Sequence, residues 1–454
     1  MNTLLRSVRL ESDGRAPQTA TLSPGQPQLR GAFFWLSAFY LVYCARPEEW
    51  IPGLAYLPLA KISGIFALLS LLFSLGKTKR GLRDLPREAT YLLILIVLLV
   101  PSALVSPVWK GGALQHALDF SKVFIAWILT FLLVTDFAKL RRIIFIQAGS
   151  VAVISAISLW KGHAGHLRLA GALGGIYSNP NDLAFAIVMS LPICLAFMLS
   201  TRSALRKAVW SVAMLLMLTT VFLTGSRGGF VMLVIAGMFG LWHFGVRGRR
   251  LYLIAIAVVV GSLLLGFAST VTRNRFNAIA TGDEEDTGSA YGSYAARRQL
   301  MIQAIEGIER YPILGIGIGN FVSYSGTWRE VHMAYLQVGV EAGIPALILY
   351  LMFLGRGFGN LRKLRKMRDL DPEKKLFVAA LDSSLIGFVT GALFAPVGFH
   401  YFPYFAVAYT SALLACVNQE SPGPPAASPP PVYRFEAKRI FAHPGKANEP
   451  APVR

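Results

Sequence analysis

Three polar segments of this 454-residue chain combine arginine or histidine with small and turn-forming residues, and each lies between long apolar runs. The first is Lys161-Gly-His-Ala-Gly-His-Leu-Arg168, followed by Tyr177-Ser-Asn-Pro-Asn-Asp182. Pro180 and its neighbours Asn179 and Asn181 turn the chain and supply amide donors, and Asn181 or Asp182 can cap the next helix, whose N-terminus then favours an anion. An ordinary helix connection with Arg168 in solvent explains the same residues. His163 and His166 have an i, i+3 spacing suited to shared metal ligation, but no third ligand is near them in sequence. The second segment is Thr224-Gly-Ser-Arg-Gly-Gly-Phe230. Its Arg227 is flanked by glycines that let backbone N–H groups approach a ligand, although an arginine snorkelling to outer headgroups would have the same sequence.

The third segment ends a long polar stretch, residues 269–331, and runs into the next apolar run. It contains Tyr294-Ala-Ala-Arg-Arg-Gln-Leu-Met301, Tyr311-Pro-Ile-Leu-Gly-Ile-Gly-Ile-Gly-Asn-Phe321 and His332-Met-Ala-Tyr-Leu336. Ala296 to Glu309 predicts an amphipathic helix, with Arg297 and Arg298 near its start, lying on the membrane surface or against the rest of the protein. Gly315, Gly317 and Gly319 match part of a dinucleotide fingerprint, but the strand and βαβ context that gives the fingerprint meaning is missing. His332 opens an apolar run, which puts its imidazole at an outer interface. A neutral histidine there is a natural general base for a hydroxyl nucleophile; the alternative is a purely structural interfacial residue. Tyr335, three residues on, shares its helical face and can orient it or bind substrate.

The elements that must position these residues are membrane helices. Hydrophobic residues make up 54% of the chain and charged residues only 15%, with mean hydropathy +0.52, whereas soluble domains carry about 25% charged residues. Apolar runs predict an all-α integral membrane protein of about twelve spans, beginning near residues 32, 56, 91, 113, 142, 183, 208, 229, 251, 333, 377 and 402. The organisation expected is a cytoplasmic segment 1–31, a membrane domain 32–418 that includes the periplasmic loop 269–331, and a Pro-rich disordered cytoplasmic tail 419–454. With the N-terminus cytoplasmic, segments on that side hold 31 of the 44 Lys and Arg. The net charge of +20 is thus a positive-inside signal and a contact with anionic membrane lipids, and needs no nucleic acid. The N-terminus lacks the apolar core of a cleavable signal, so the first helix is expected to direct insertion. Cys44, Cys194 and Cys416 have no CxxC spacing and suggest neither disulfides nor zinc.

Together these segments resemble the O-antigen ligase family, bacterial membrane enzymes that share a Wzy-C-type domain with O-antigen polymerases and protein O-oligosaccharyltransferases. The resemblance rests on Ser178-Asn-Pro-Asn-Asp182, Ser226-Arg-Gly-Gly229, Arg297 four residues before Met301, the Tyr311 to Phe321 motif and His332-x-x-Tyr-Leu336, spread over residues 140–400. Tyr40-Leu-Val-Tyr-Cys-Ala-Arg-Pro-Glu-Glu-Trp50 is further similar to the exosortase-associated putative O-glycosylation ligases. Met333 stands where many relatives carry a polar residue such as Asn.

The resemblance implies a GT-C-like bundle in the bacterial inner membrane with both termini cytoplasmic. It implies transfer of a glycan from a polyprenyl-diphosphate donor, of the undecaprenyl type, to a hydroxyl of lipid A-core, protein or a growing glycan on the periplasmic face. The residues fit that task. Arg227, Arg168 and Arg297 can stabilise the departing diphosphate without metal or other cofactor, and His332 can take the acceptor proton, with inversion. Metal-dependent membrane glycosyltransferases place carboxylates on that face, and Asp283-Glu-Glu-Asp286 is the one acidic cluster, in a Gly- and Ser-containing stretch. A polymerase would use the same residues. A transporter would place ionisable residues at mid-span in repeated halves, and Lys61 and Lys122 are the mid-span candidates, with no matched halves.

Overall fold

Long apolar runs ended by Gly, Pro and short polar turns leave the backbone few ways to satisfy its own N–H and C=O groups in lipid, and the helix is the one that needs no partner. The computed structural model describes residues 27–73, 80–162, 169, 175–177, 179–266, 290–327 and 329–420. Expectations for residues 1–26, for His163, His166 and Arg168, for Asp283 to Asp286 and for the tail beyond Glu420 lie outside the described residues. Among the described residues there is no strand.

The helices are α1 (Pro27–Ala45), α2 (Pro47–Trp50), α3 (Leu59–Leu72), α4 (Arg87–Leu104), α5 (Lys110–Leu133), α6 (Phe137–Lys161), α7 (Pro180–Ser200), α8 (Ala204–Thr224) and α9 (Arg227–Gly240), which runs on into a π-helix, Leu241–Val246. They continue with α10 (Tyr252–Gly266), α11 (Ala290–Arg310), α12 (Phe321–Tyr324), α13 (Ala334–Ala342), α14 (Ile344–Lys366), α15 (Pro372–Gly391) and α16 (Tyr401–Glu420).

Seven of these are long and apolar enough to cross a bilayer: α4 to α8, α9 with its π-helical extension, and α14. Twelve spans were expected from the apolar runs. The apolar helices α3 and α10, at 14 and 15 residues, are shorter, and α1, α15 and α16 are as long but carry more polar side chains. For α16 the reason is burial. Phe402 through Leu413 are all buried, so this helix has no lipid-facing stripe to keep apolar, and its polar groups bond to other helices. Tyr409 donates to Gln147 Oε1 at 2.6 Å, and Ser411 donates to Glu88 Oε1 at 2.6 Å. By contrast α10 exposes Ile256, Val258, Val259 and Leu263, a surface that suits lipid. Lys61 falls in the first turn of α3, and Lys122 pairs with Asp119 on the exposed face of α5.

The span expected from residue 333 is broken. Gly343, at φ +86, ends α13 and starts α14, and Pro345 occupies the first turn of α14, where its missing N–H costs nothing. The glycine-rich segment crosses this break and takes up its loose groups: Ile316 N–H donates to Val340 O at 2.9 Å, Gly317 N–H to Glu341 O at 2.9 Å, and Ile344 N–H to Pro312 O at 2.8 Å. Asn320 Nδ2 then reaches Ser106 Oγ at 2.7 Å and Trp109 O at 3.2 Å, fastening the segment to the α4–α5 turn. The three glycines are a latch between helices.

The amphipathic helix of the long loop is α11. Leu300 and Ala304 are buried with Ile316, Phe321, Val331 and Val340, so its apolar face packs on α13 and the latch. A Cβ at Gly343 would stand 2.2 Å from Ile313 O. Gly343→Ala should therefore destabilise the protein by about 2 kcal/mol or more, read as a lower melting temperature of the detergent-purified protein, whereas Gly355→Ala, with open space around it, should leave the melt unchanged.

Candidate active site

His332 sits in the turn between α12 and α13, and its position is fixed from both sides. Val331 before it is fully buried. After it, Ala334 N–H donates to Ala392 O at 2.8 Å, and Tyr335 Oη donates to Val389 O at 2.7 Å, so the start of α13 is tied to the end of α15. The His332 ring is half-buried, with Nδ1 2.9 Å from Glu330 O. A carbonyl only accepts, so Nδ1 carries the proton, and in the neutral ring the lone pair is on Nε2.

Charge around the ring is divided. Burial lowers the His332 pKa below the usual 6.5, the Arg297 guanidinium adds to the shift, and Arg329 contributes in the same direction; the carbonyl of Glu330 opposes it. The Glu330 side chain faces another set of groups. Burial and then the Asp182 carboxylate push its pKa up, and His400 offsets this in part. The pKa of His400 is in turn lowered by burial. His332 thus feels the cations Arg297 and Arg329, while the Glu330 carboxyl is influenced by Asp182 and His400.

The α7 and α9 N-termini come to the same end of the bundle. Asn179 caps α7, its side chain accepting from Asn181 N–H at 2.9 Å, and Tyr177 just before it donates to Cys44 O at 2.7 Å. Ser226 caps α9 by accepting from Gly229 N–H at 3.1 Å, which makes Arg227 the first helical residue. A Cβ at Gly229 would be 2.6 Å from Ala184 Cβ in the first turns of α7, and one at Gly228 would be 2.9 Å from Phe394 Cβ. Arg227 is therefore two residues from a close contact with α7, and its neighbour Gly228 touches the 392–400 loop that also holds α13. Arg168 lies outside the described residues; Leu169, which follows it, donates to Leu223 O at 3.0 Å near the end of α8.

Residues 212–351 of the chain match the family described as O-Antigen ligase, Wzy_C. Over that span the chain is similar to the O-antigen ligases. No curated protein matches the chain. The matched span runs from α8 into α14 and takes in Arg227, Arg297, the glycine latch, His332 and Tyr335. Outside the matched span, Asn179, Asn181 and Asp182 stand at the start of α7, and His400 precedes α16.

Not every residue picked out by sequence joins this group. Arg298 is exposed on the same side of α11 as exposed Met301 and Ile305, while Arg297 shares its side with buried Leu300 and Ala304. The Tyr335 hydroxyl is committed to Val389. Glu330, Arg329 and His400 are titratable or charged groups near His332 that sequence reasoning did not single out, and Asp182 was read only as a possible cap. The available signal was Arg329-Glu-Val-His332, a charged pair immediately before the histidine. Among the described residues no three His, Cys, Asp or Glu side chains are grouped to hold a metal ion.

With a lowered pKa, His332 is neutral at pH 7 and gains a proton only on acidification through a value below 6.5. Taking away a nearby positive charge makes the imidazolium easier to form. Arg297→Gln should therefore raise the His332 pKa, and NMR of histidine-labelled protein in nanodiscs should show its ring shifts titrating at higher pH than in the wild type.

Proposed function

We propose that the chain is a membrane glycosyltransferase of the ligase type, transferring an oligo- or polysaccharide from a polyprenyl-diphosphate donor to a hydroxyl acceptor on the periplasmic side of a bacterial inner membrane. The observation that carries this reading is the Nδ1–H of His332 held on Glu330 O, which leaves Nε2 as the basic nitrogen, beside Arg297 in a matched O-antigen ligase domain.

The acceptor oxygen attacks the anomeric carbon while the bond from that carbon to the diphosphate oxygen breaks on the opposite face. Nε2 takes the acceptor proton, and the diphosphate leaves with the bonding electrons. A base depressed below 6.5 is ready to accept at neutral pH, although each step down in its pKa also weakens it as a base. Arg227, Arg297 and Arg168 bind the diphosphate, where fixed guanidinium groups match paired phosphate oxygens and need no metal or other cofactor. Asn179 and Asn181 supply amide donors at the α7 N-terminus, whose dipole favours the same anion. Arg298, on the outer side of α11, meets the glycan or lipid headgroups, and Tyr335 positions the segment that carries His332. The reading includes a GT-C-like bundle with both termini cytoplasmic, and lipid A-core, protein or a growing glycan as acceptor.

The test is transfer by purified protein from a polyprenyl-diphosphate glycan to lipid A-core or peptide acceptors. His332→Ala should lower the rate by about 10²- to 10⁴-fold. Arg227→Ala should lower it by about 10²-fold or more, with Arg227→Lys restoring little because an ammonium cannot bind two phosphate oxygens side by side. EDTA should leave the wild-type rate unchanged. Wild-type transfer by His332→Ala would overturn the assignment of the base, and a ladder of glycan lengths in place of single-block transfer would identify a polymerase.

A further inference from the structure

The opposite end of the same helices carries a second feature. At the C-terminal ends of α7, α9 and α14 and the N-terminal end of α15, a cleft of about 720 Å³ opens, within the size range of small-ligand sites. It lies about 30 Å from the His332 end, taking 20 helical residues at 1.5 Å each. Its floor is apolar, formed by Leu199, Phe244, Leu370 and Leu376, and its wall is basic, with Arg247 and Arg250.

The backbone carrying the two arginines is unusual. The π-helix at Leu241–Val246 is followed by two bonds with the same wide spacing, Arg247 N–H to Trp242 O at 2.9 Å and Arg250 N–H to Gly245 O at 2.7 Å. Between them Arg249 is held at φ +53, a left-handed conformation that a non-glycine residue adopts at a cost. Gly248 is required there, since a Cβ would lie 2.2 Å from Phe244 O. π-Bulges and strained residues collect at functional sites.

Of the other charges in the cleft, Lys375 reaches only the Arg368 carbonyl, at 3.5 Å, and the rest have polar partners. Arg365 and His243 both contact the buried Asp382 carboxylate, the histidine at 3.0 Å. Glu373 pairs with Arg141 at 2.8 Å, and Asp371 caps α15 through Glu373 N–H at 2.8 Å. Arg247 lies over the Trp242 ring at 5.7 Å, and among the described residues no carboxylate pairs with it or with Arg250. Arg247 and Arg250, with Lys375 also lining the cleft, stand beside apolar side chains at the level where apolar helix gives way to the interface, and are complementary to a phosphate headgroup that has an acyl chain attached.

We propose that this cleft binds the phosphate of an anionic phospholipid from the leaflet opposite the His332 site, through Arg247 and Arg250. The phosphate oxygens take charge-assisted hydrogen bonds from both guanidinium groups, and the first part of an acyl chain covers Phe244 and Leu376.

The experiment is native mass spectrometry of the full chain titrated with phosphatidylglycerol, phosphatidylcholine or inorganic phosphate, for the wild type, Arg247→Gln/Arg250→Gln and Arg247→Lys/Arg250→Lys. The wild type should retain phosphatidylglycerol in preference to phosphatidylcholine and should not exchange it for millimolar inorganic phosphate. The glutamine variant should bind phosphatidylglycerol about tenfold or more weakly, with the lysine variant between the two and all three melting alike in detergent. His332→Ala should retain the lipid as the wild type does. Equal phosphatidylglycerol retention by the wild type and glutamine variant would overturn the proposal, as would equal retention of phosphatidylcholine. Displacement by inorganic phosphate would overturn the lipid assignment and leave a site for a soluble anion.

Discussion

Inside an apolar bundle, every N–H and C=O that leaves a helix needs a partner within the protein, and nowhere is this demand greater than at Ala342–Ile344, where α13 stops and α14 starts on a different axis. The latch of Gly315, Gly317 and Gly319 meets it by crossing the break and exchanging backbone bonds with Val340, Glu341 and Ile344. Glu341, buried at the same point, accepts from Phe321 N–H at 3.2 Å and anchors the far end of the latch. Without the break, α13 could not turn away from the span, and His332 would be an ordinary residue at the end of a straight helix. With it, the histidine is carried on a short helix sewn to α11 on one side and to α15 on the other.

That anchoring sets the electrostatics. His332 is held where burial and two arginines favour its neutral form, while the Glu330 carboxyl is influenced by Asp182 and His400. The same helices at their other ends separate charge differently, with Asp382 buried against Arg365 and His243, and Arg247 and Arg250 left facing a cleft. These two charged groups thus lie at opposite ends of the bundle, whose sides expose Phe34, Phe73, Ile256 and Val258.

Much of this is legible in the sequence, and the limits have physical causes. Apolar runs disclose helices because lipid imposes a composition on the outer ones; enclosed α16 is less apparent because packing lets Tyr404, Tyr409 and Ser411 stand in its interior. Gly343-Ile-Pro345 did signal a helix break, yet the apolar residues on both sides made a single span the simpler reading. The glycine latch resembles a phosphate-binding loop in spacing alone, and only its partners 20 or more residues away reveal what it does. Arg297 and Arg298 are equivalent in sequence, and one residue of helical rotation decides which meets His332. Asp182 and His400 reach the site from elements far apart in the chain, a proximity that local pattern does not encode. The π-helix after α9 has no sequence signature beyond the nearby Gly245 and Gly248.

The central claim is that His332 deprotonates the acceptor as it displaces the diphosphate directly, from the opposite face of the sugar. The most direct test is the anomeric configuration of the newly formed bond, determined by NMR on product made from a donor of known configuration. Direct displacement predicts inversion at that carbon. Retention would require two successive displacements or attack from the departing side, and would contradict the role given to His332.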